Sequence, residues 1–195
     1  MNKIIFLTFL ILFTPVALWS HKHAEFQGIP LDMTISNFSS KLQQKGFKYN
    51  SKKSATNDPI RYFDGKFYGK DCELLVFYNP KSKTVYRAKV LIDCYSRHAA
   101  DMLIRELKDG YDIKYGSEGD FRYEKFDVNG YPGWRRFFID EDDWSEHDGS
   151  IGYLVIGEVQ LWISYSSYTD NYTVHIDYFD AENLGKYNYL LQEDL

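Results

Sequence analysis

The chain carries three hydrophobic patterns in succession. From Ile4 to Trp19 it is apolar with almost no polar break. Beyond that point apolar residues recur with a helical or a strand period. Glu25-Phe26-Gln27-Gly28-Ile29-Pro30 reads as a short extended stretch. Ile35, Phe38 and Leu42 then fall on one helical face, with Asp32 or Thr34 able to cap its start and Gly46 to stop it. Phe47 folds back onto the same core.

Strand-like runs follow at 61–67, interrupted by Asp64-Gly65, at 72–78 and at 84–94. The turn Asn79-Pro80-Lys81-Ser82-Lys83 separates the last two. A second helix is predicted after the cap Ser96. Its buried stripe is Ala100, Leu103, Ile104, Leu107 and Tyr111, with Gly110 inside the pattern and Gly116 as its stop. More strands are predicted at 121–128, turning at Asn129-Gly130, and at 134–139. The acidic loop Asp140–Gly149 leads to 151–156, and Gly157-Glu158 has the form of a tight hairpin turn. Strands at 159–165 and 172–179 close the series, and the tail from Asp180 holds at most one helical turn.

Runs of sequential strands without alternating helices specify α+β and antiparallel pairing. The order is a helix plus strands, then a helix plus strands. The expected architecture is two helix-plus-antiparallel-sheet units, about 26–94 and 95–180, with a short tail over 181–195. They pack as one domain over 21–195 with the helices on one face, burying one or two sheets.

The leader changes the picture of where this domain works. Lys3 gives a positive start, the apolar stretch is shorter than the roughly 20 residues that span a bilayer, and Ser20 is a small residue at a plausible cut. Residues 1–20 therefore read as a signal peptide, and the mature protein as periplasmic or extracellular, with no stable membrane span after cleavage. A net charge of −5 excludes a nucleic-acid backbone binder, because no basic stripe releases counterions. Aromatic residues make up 18% of the chain, as suits strands.

Cys72 and Cys94 fall on neighbouring strands of one hairpin. Cys72, Leu74, Val76 and Tyr78 share one face, and Tyr86, Ala88, Val90, Ile92 and Cys94 can share the same one. Export permits a disulfide between the cysteines, but the turn sets them diagonally, a strained reach.

The segments FQGIPLDMTISNFSSKLQQKGF, GKDCELLVFY, LIRELKDGYDIKYG and GEVQLWISYSSYTDNYTVHIDYFDAEN, with the terminal EDL, span nearly the whole mature chain. Together they resemble a group of small exported proteins of gut Gram-negative bacteria. The shared motifs are caps, strand patterns and turns, so the resemblance implies export and a fold but no activity. The tandem helix-plus-sheet architecture is similar to β-lactamase inhibitor-like folds, which implies a binding module by analogy.

The best candidate surface is the outward face of the last hairpin. Val159, Leu161, Ile163 and Tyr165 face the core on one strand, and Tyr172, Val174, Ile176 and Tyr178 on the other. With Tyr165 opposite Tyr172, Trp162 lies across from His175 and Gln160 from Asp177. With Phe179 these form a patch of stacking and polar groups suited to a sugar or a partner protein. The plain alternative is that Trp162 and Phe179 pack under the second sheet or the tail.

The acidic loop lacks the Asp-x-Asp-x-Asp-Gly spacing of a calcium loop and reads as a solvated connection. A chain starting at His21-Lys22-His23 would bind Cu(II) through its amine, amides and third-position imidazole, adventitiously. The sequence holds no Gly-x-Ser-x-Gly, His-Glu-x-x-His or phosphate loop, and no selectable carboxylate pair. No catalytic residue, metal site or cofactor is assigned. The expected function is a non-enzymatic module that binds a protein or an envelope component. A carbohydrate-binding module using the aromatic face, or a hydrolase of unrecognised type, is the alternative.

Overall fold

The structure is a computed structural model. It describes the backbone of residues 23–55, 59–115, 124–128, 131–147 and 150–186, and side chains outside 114–132 and 138–154. The leader over 1–20 lies outside the described residues.

A two-residue hairpin opens the fold, β1 (Glu25–Phe26) with β2 (Ile29–Pro30). Helix α1 (Ile35–Gln44) is capped by Thr34, whose hydroxyl accepts from the Asn37 amide. It ends at Gly46, φ +91°. There the Gly46 amide donates to the Gln43 carbonyl and the Phe47 amide to that of Leu42, closing the helix and turning Phe47 into the core. Strand β3 (Lys48–Tyr49) and the single turn α2 (Ser51–Ser54) follow.

The meander β4 (Ile60–Phe67), β5 (Lys70–Tyr78) and β6 (Val85–Cys94) comes next. At the β5–β6 turn the Asn79 carboxamide oxygen accepts from the amides of Lys81 and Ser82. Ser96 caps α3 (Arg97–Tyr115) by accepting from the Ala99 amide. The second meander is β7 (Glu124–Val128), β8 (Tyr131–His147), β9 (Ser150–Ser166) and β10 (Asn171–Asp180), with a further short helix over 181–186.

All the main strands join one eight-stranded antiparallel sheet in the order β3-β4-β5-β6-β10-β9-β8-β7. The α+β class is as the patterns indicate. Of the one or two sheets expected the chain forms one, because β6 and β10 pair along eight residues, from Tyr172↔Cys94 to Phe179↔Arg87. Ile35, Phe38 and Leu42 of α1 and Ala100, Leu103, Ile104, Leu107 and Tyr111 of α3 enter a single core. It includes Leu74 and Val76 of β5, Val90 and Ile92 of β6, Leu161 and Ile163 of β9, and Val174 and Ile176 of β10. Fully buried Phe26 sits among Phe47, Phe67 and Tyr178 and ties the N-terminal hairpin to both meanders.

Three local expectations are corrected. Asp64-Gly65 does not interrupt β4, which pairs with β5 from Ile60 to Phe67. The acidic run from Asp140 to His147 is strand, paired with β9 across irregularities at Phe138/Ile139 and Asp140/Trp144. Gly157-Glu158 is no turn. Gly157 lies within β9, opposite Phe138 on one side and Asp180 on the other. A glycine is needed there for closeness, since a Cβ would collide with the Phe179 carbonyl oxygen and the Ala24 side chain.

Cys72 and Cys94 lie on the inner face, both buried, and stand as free thiols. Glu73 pairs with Leu91, so each cysteine is offset from the other along the hairpin. Burial pushes the Cys72 thiol up to about 11, and that of Cys94 upward as well.

Gly157→Ala is expected to destabilise the fold by about 1–3 kcal/mol, since the obstructing atom is backbone and the strand must shift. Urea unfolding of the variant beside wild type measures this.

Candidate functional site

Period-two alternation decides the outer face of the sheet. Every second residue of β5, β6, β10 and β9 enters the core, so the intervening ones stand on the side away from α1 and α3. Pairing arranges them in rows. Phe77, Arg87, Phe179 and Glu158 form one. Leu75, Lys89, Asp177 and Gln160 form the next, and Glu73, Leu91, His175 and Trp162 the third. Asp93, Thr173 and Ser164 follow. The cross-strand partners of Trp162 and Gln160 are thus the ones inferred from the hairpin alone.

The centre of this face is ionic. Arg87 donates from Nε to Asp177 Oδ1 at 2.7 Å and from a terminal nitrogen to Oδ2 at 2.5 Å. Its guanidinium lies over the rings of Phe77 and Phe179, at 4.5 and 4.8 Å from their centroids. Lys89 Nζ stands 3.8 Å from Asp177 Oδ2 and 4.7 Å from the Trp162 centroid. The Asp177 side chain is only 2% exposed, so its charge is compensated almost wholly by β6. Burial pushes the Lys89 ammonium downward, against the raising pull of Asp177.

The imidazole of His175 stacks on the Trp162 ring, centroids 3.6 Å apart and planes within 4°. Its Nε2 is 2.7 Å from Ser164 Oγ, while Nδ1 is buried with no hydrogen-bond partner. Burial, helped by Lys89 and Arg87, lowers His175 to about 3. Ser164 and His175 have the spacing of a nucleophile and its base, but nothing orients Nδ1. An imidazole that neutral is also a poor base, since a working one titrates near the operating pH. The buried thiols are held as thiols and supply no nucleophile either.

The five residues singled out from the sequence therefore share one face but do not converge on one open point. Trp162 pairs with His175, Asp177 and Phe179 are engaged by Arg87, and Gln160 Nε2 donates to Glu158 at 2.6 Å. Arg87 and Lys89 were not among them. The polar phase of β6 (Arg87, Lys89, Leu91, Asp93) was the available signal, but only the pairing with β10 sets it against Asp177.

Beside the third and fourth rows the face dips into an open groove of about 1020 Å³. Its lining includes Lys45, Lys48, Lys53, Lys66, Asp64, Asp71, Glu73, Asp93, Thr173 and His175, and no Phe, Tyr or Trp. Lys53 is ion-paired with Glu73, and Lys66 with Asp71 at 3.7 Å. Thr173 donates to Asp93 at 2.9 Å. Among the described residues Lys45 and Lys48 meet no carboxylate, and no group of His, Cys, Asp and Glu has the arrangement of a metal site.

Arg87→Ala should cost about 3–5 kcal/mol by leaving Asp177 buried and under-compensated, with Arg87→Lys only a partial rescue because the two-point contact is lost. Chemical denaturation of both variants reads this out. His175 binds a proton far more readily in the unfolded chain (near 6.5) than in the folded one (about 3). Its contribution is therefore complete above pH 6.5 and is lost progressively as the pH falls toward 3. Stability measured from pH 7 to pH 4 should fall less steeply in His175→Gln than in wild type.

No protein-family model, curated protein or solved structure matches the chain.

Proposed function

We propose that this chain is an exported, non-enzymatic binding module that holds a protein or an envelope component on the outer face of its sheet. The observation that carries the proposal is the groove beside His175. It is wide, open and lined by both signs of charge, with several side chains already fixed by ion pairs and two lysines left to a ligand. Pre-fixed charges on a rigid sheet reduce the ordering cost of binding and favour a partner with complementary charges. The lining carries no Phe, Tyr or Trp ring, and Leu91 is its one large apolar side chain, unlike the walls of a small-molecule pocket.

The chemistry of the face favours holding over turnover. Its histidine is neutral, its central carboxylate is tied to two cations and the two cysteines are unreactive in the core. In this reading residues 1–20 are removed on export. The order of α1 with its meander, then α3 with its own, further suggests two like units joined by their last strands.

A second reading, carbohydrate binding, is favoured by Trp162. It is half-buried and stands flat against His175 at the groove side of the face, where an aromatic ring can stack on a sugar.

The mature chain, immobilised and challenged with native envelope extract, should retain a partner at low salt. A double Lys45→Glu/Lys48→Glu variant of unchanged melting temperature should lose it at least tenfold. Retention equal in both forms sinks the groove as the binding surface. Glycan-array binding abolished by Trp162→Ala, with no protein retained, replaces the first reading by the second.

A further inference from the structure

Strands β8 and β9 run past the rest of the sheet. Among the described residues, strand β10 accompanies β9 only from Gly157 to Ser166, and β7 accompanies β8 only from Tyr131 to Arg135. Beyond those limits, among the described residues, 139–147 and 150–155 pair with each other alone, as a two-stranded ribbon. Both of its outer edges are unpaired among the described residues. A two-stranded ribbon by itself is marginal in water, and a free edge is a template for another strand.

The two edges differ in character. The β8 edge carries Asp140, Glu141, Asp142, Asp143 and Glu146, and its pairing is irregular between Asp140 and Trp144. Charge and irregularity are the devices that keep a sheet edge from pairing. The β9 edge carries no charge, and its one irregularity is the extra residue Ile156 at the end next to Gly157, where Phe138 pairs with Gly157 and Ile139 with Val155. Ser150-Ile151-Gly152-Tyr153-Leu154-Val155-Ile156 contains no charge and no proline, and Val155 is 39% exposed. This is the composition of a segment that adds to a sheet.

We propose that the β9 edge over 150–156 is a dimerisation surface, paired antiparallel with the same edge of a second copy of this chain. Charge selects the arrangement. Joining two β8 edges would set carboxylates opposite one another about 5 Å apart. Joining two β9 edges sends the acidic strands to the outer flanks. They are then three strand spacings apart, about 14 Å, beyond the screening length of about 8 Å at physiological salt. The uncharged strands meet at a two-fold axis, where one segment serves both partners. The surface is separate from the groove, so it neither needs nor tests the proposed binding function.

Sedimentation velocity on the mature chain between about 1 and 100 μM tests this, since a self-association shifts with concentration by mass action. The wild type should shift from one chain mass toward two, and Val155→Lys should remain at one. Because Val155 is exposed, the variant should keep its circular dichroism and melting temperature at low concentration. Amide hydrogen exchange supplies the second measurement. The amides of 150–156 should exchange at least tenfold more slowly at the high concentration in wild type only. A wild type that stays single at every concentration, or a dimer unaffected by Val155→Lys, overturns the proposal. So does a dimer in which 150–156 gains no protection. A single-chain wild type with freely exchanging 150–156 would leave that edge to a strand from a different protein.

Discussion

The pairing of β6 with β10 is the constraint on which the rest of this structure depends. It joins the last strand of one meander to the last strand of the other, so that eight strands form a single sheet. One face of that sheet then receives both long helices. The pair also fixes the opposite face. Arg87 and Lys89 on β6 are brought against Asp177 on β10, and His175 is set between Leu91 and Trp162. A slip of one residue at this seam would exchange inner and outer side chains along the whole strand. Asp177 would then enter the core, and Val174 and Ile176 would leave it.

The inner side is held against such a slip by ring packing that spans the seam. Phe26 packs against Phe47 ahead of β3, Phe67 from the first meander and Tyr178 from the second. The hydroxyls of Tyr111 and Tyr178 meet between α3 and β10. The His23 and Ala24 backbone and side-chain groups reach Asp180, which is wholly buried at the end of β10 and also accepts from the Asn183 amide. The chain thus closes its first described residues onto its last strand. Gly157 is the point at which that closure leaves no room for a side chain.

On the outer side a few residues fix the centre of the face. An arginine between two phenylalanines, with its fork on a nearly buried carboxylate, holds the centre of the face rigid. Such a contact is more demanding of geometry than of hydrophobicity, because the carboxylate is tolerated in that position only while its cations remain. Rigidity at the centre leaves the groove beside it as a pre-shaped surface. The ribbon of β8 and β9, in contrast, lies outside this reinforced area and, among the described residues, pairs only between its own two strands.

Local pattern alone determined a good part of this protein. The caps at Thr34 and Ser96, the stripe from Ala100 to Tyr111 and the alternation of β5, β6, β9 and β10 follow from neighbours within a few residues. So does the register of β10 on β9, set by a short connection. What local pattern missed was non-local. The acidic run from Asp140 looks like a loop because its own composition has no strand pattern, and only its pairing with the following β9 makes it strand. Gly157 looks like a turn because Ala24 and Phe179, which require its bareness, come from elsewhere in the chain. Arg87 and Asp177 are ninety residues apart, and each taken singly is an ordinary strand charge. Short-range periodicity can tell which side of a strand is apolar. Only the tertiary structure decides which strand lies alongside, and therefore which charges, rings and edges meet.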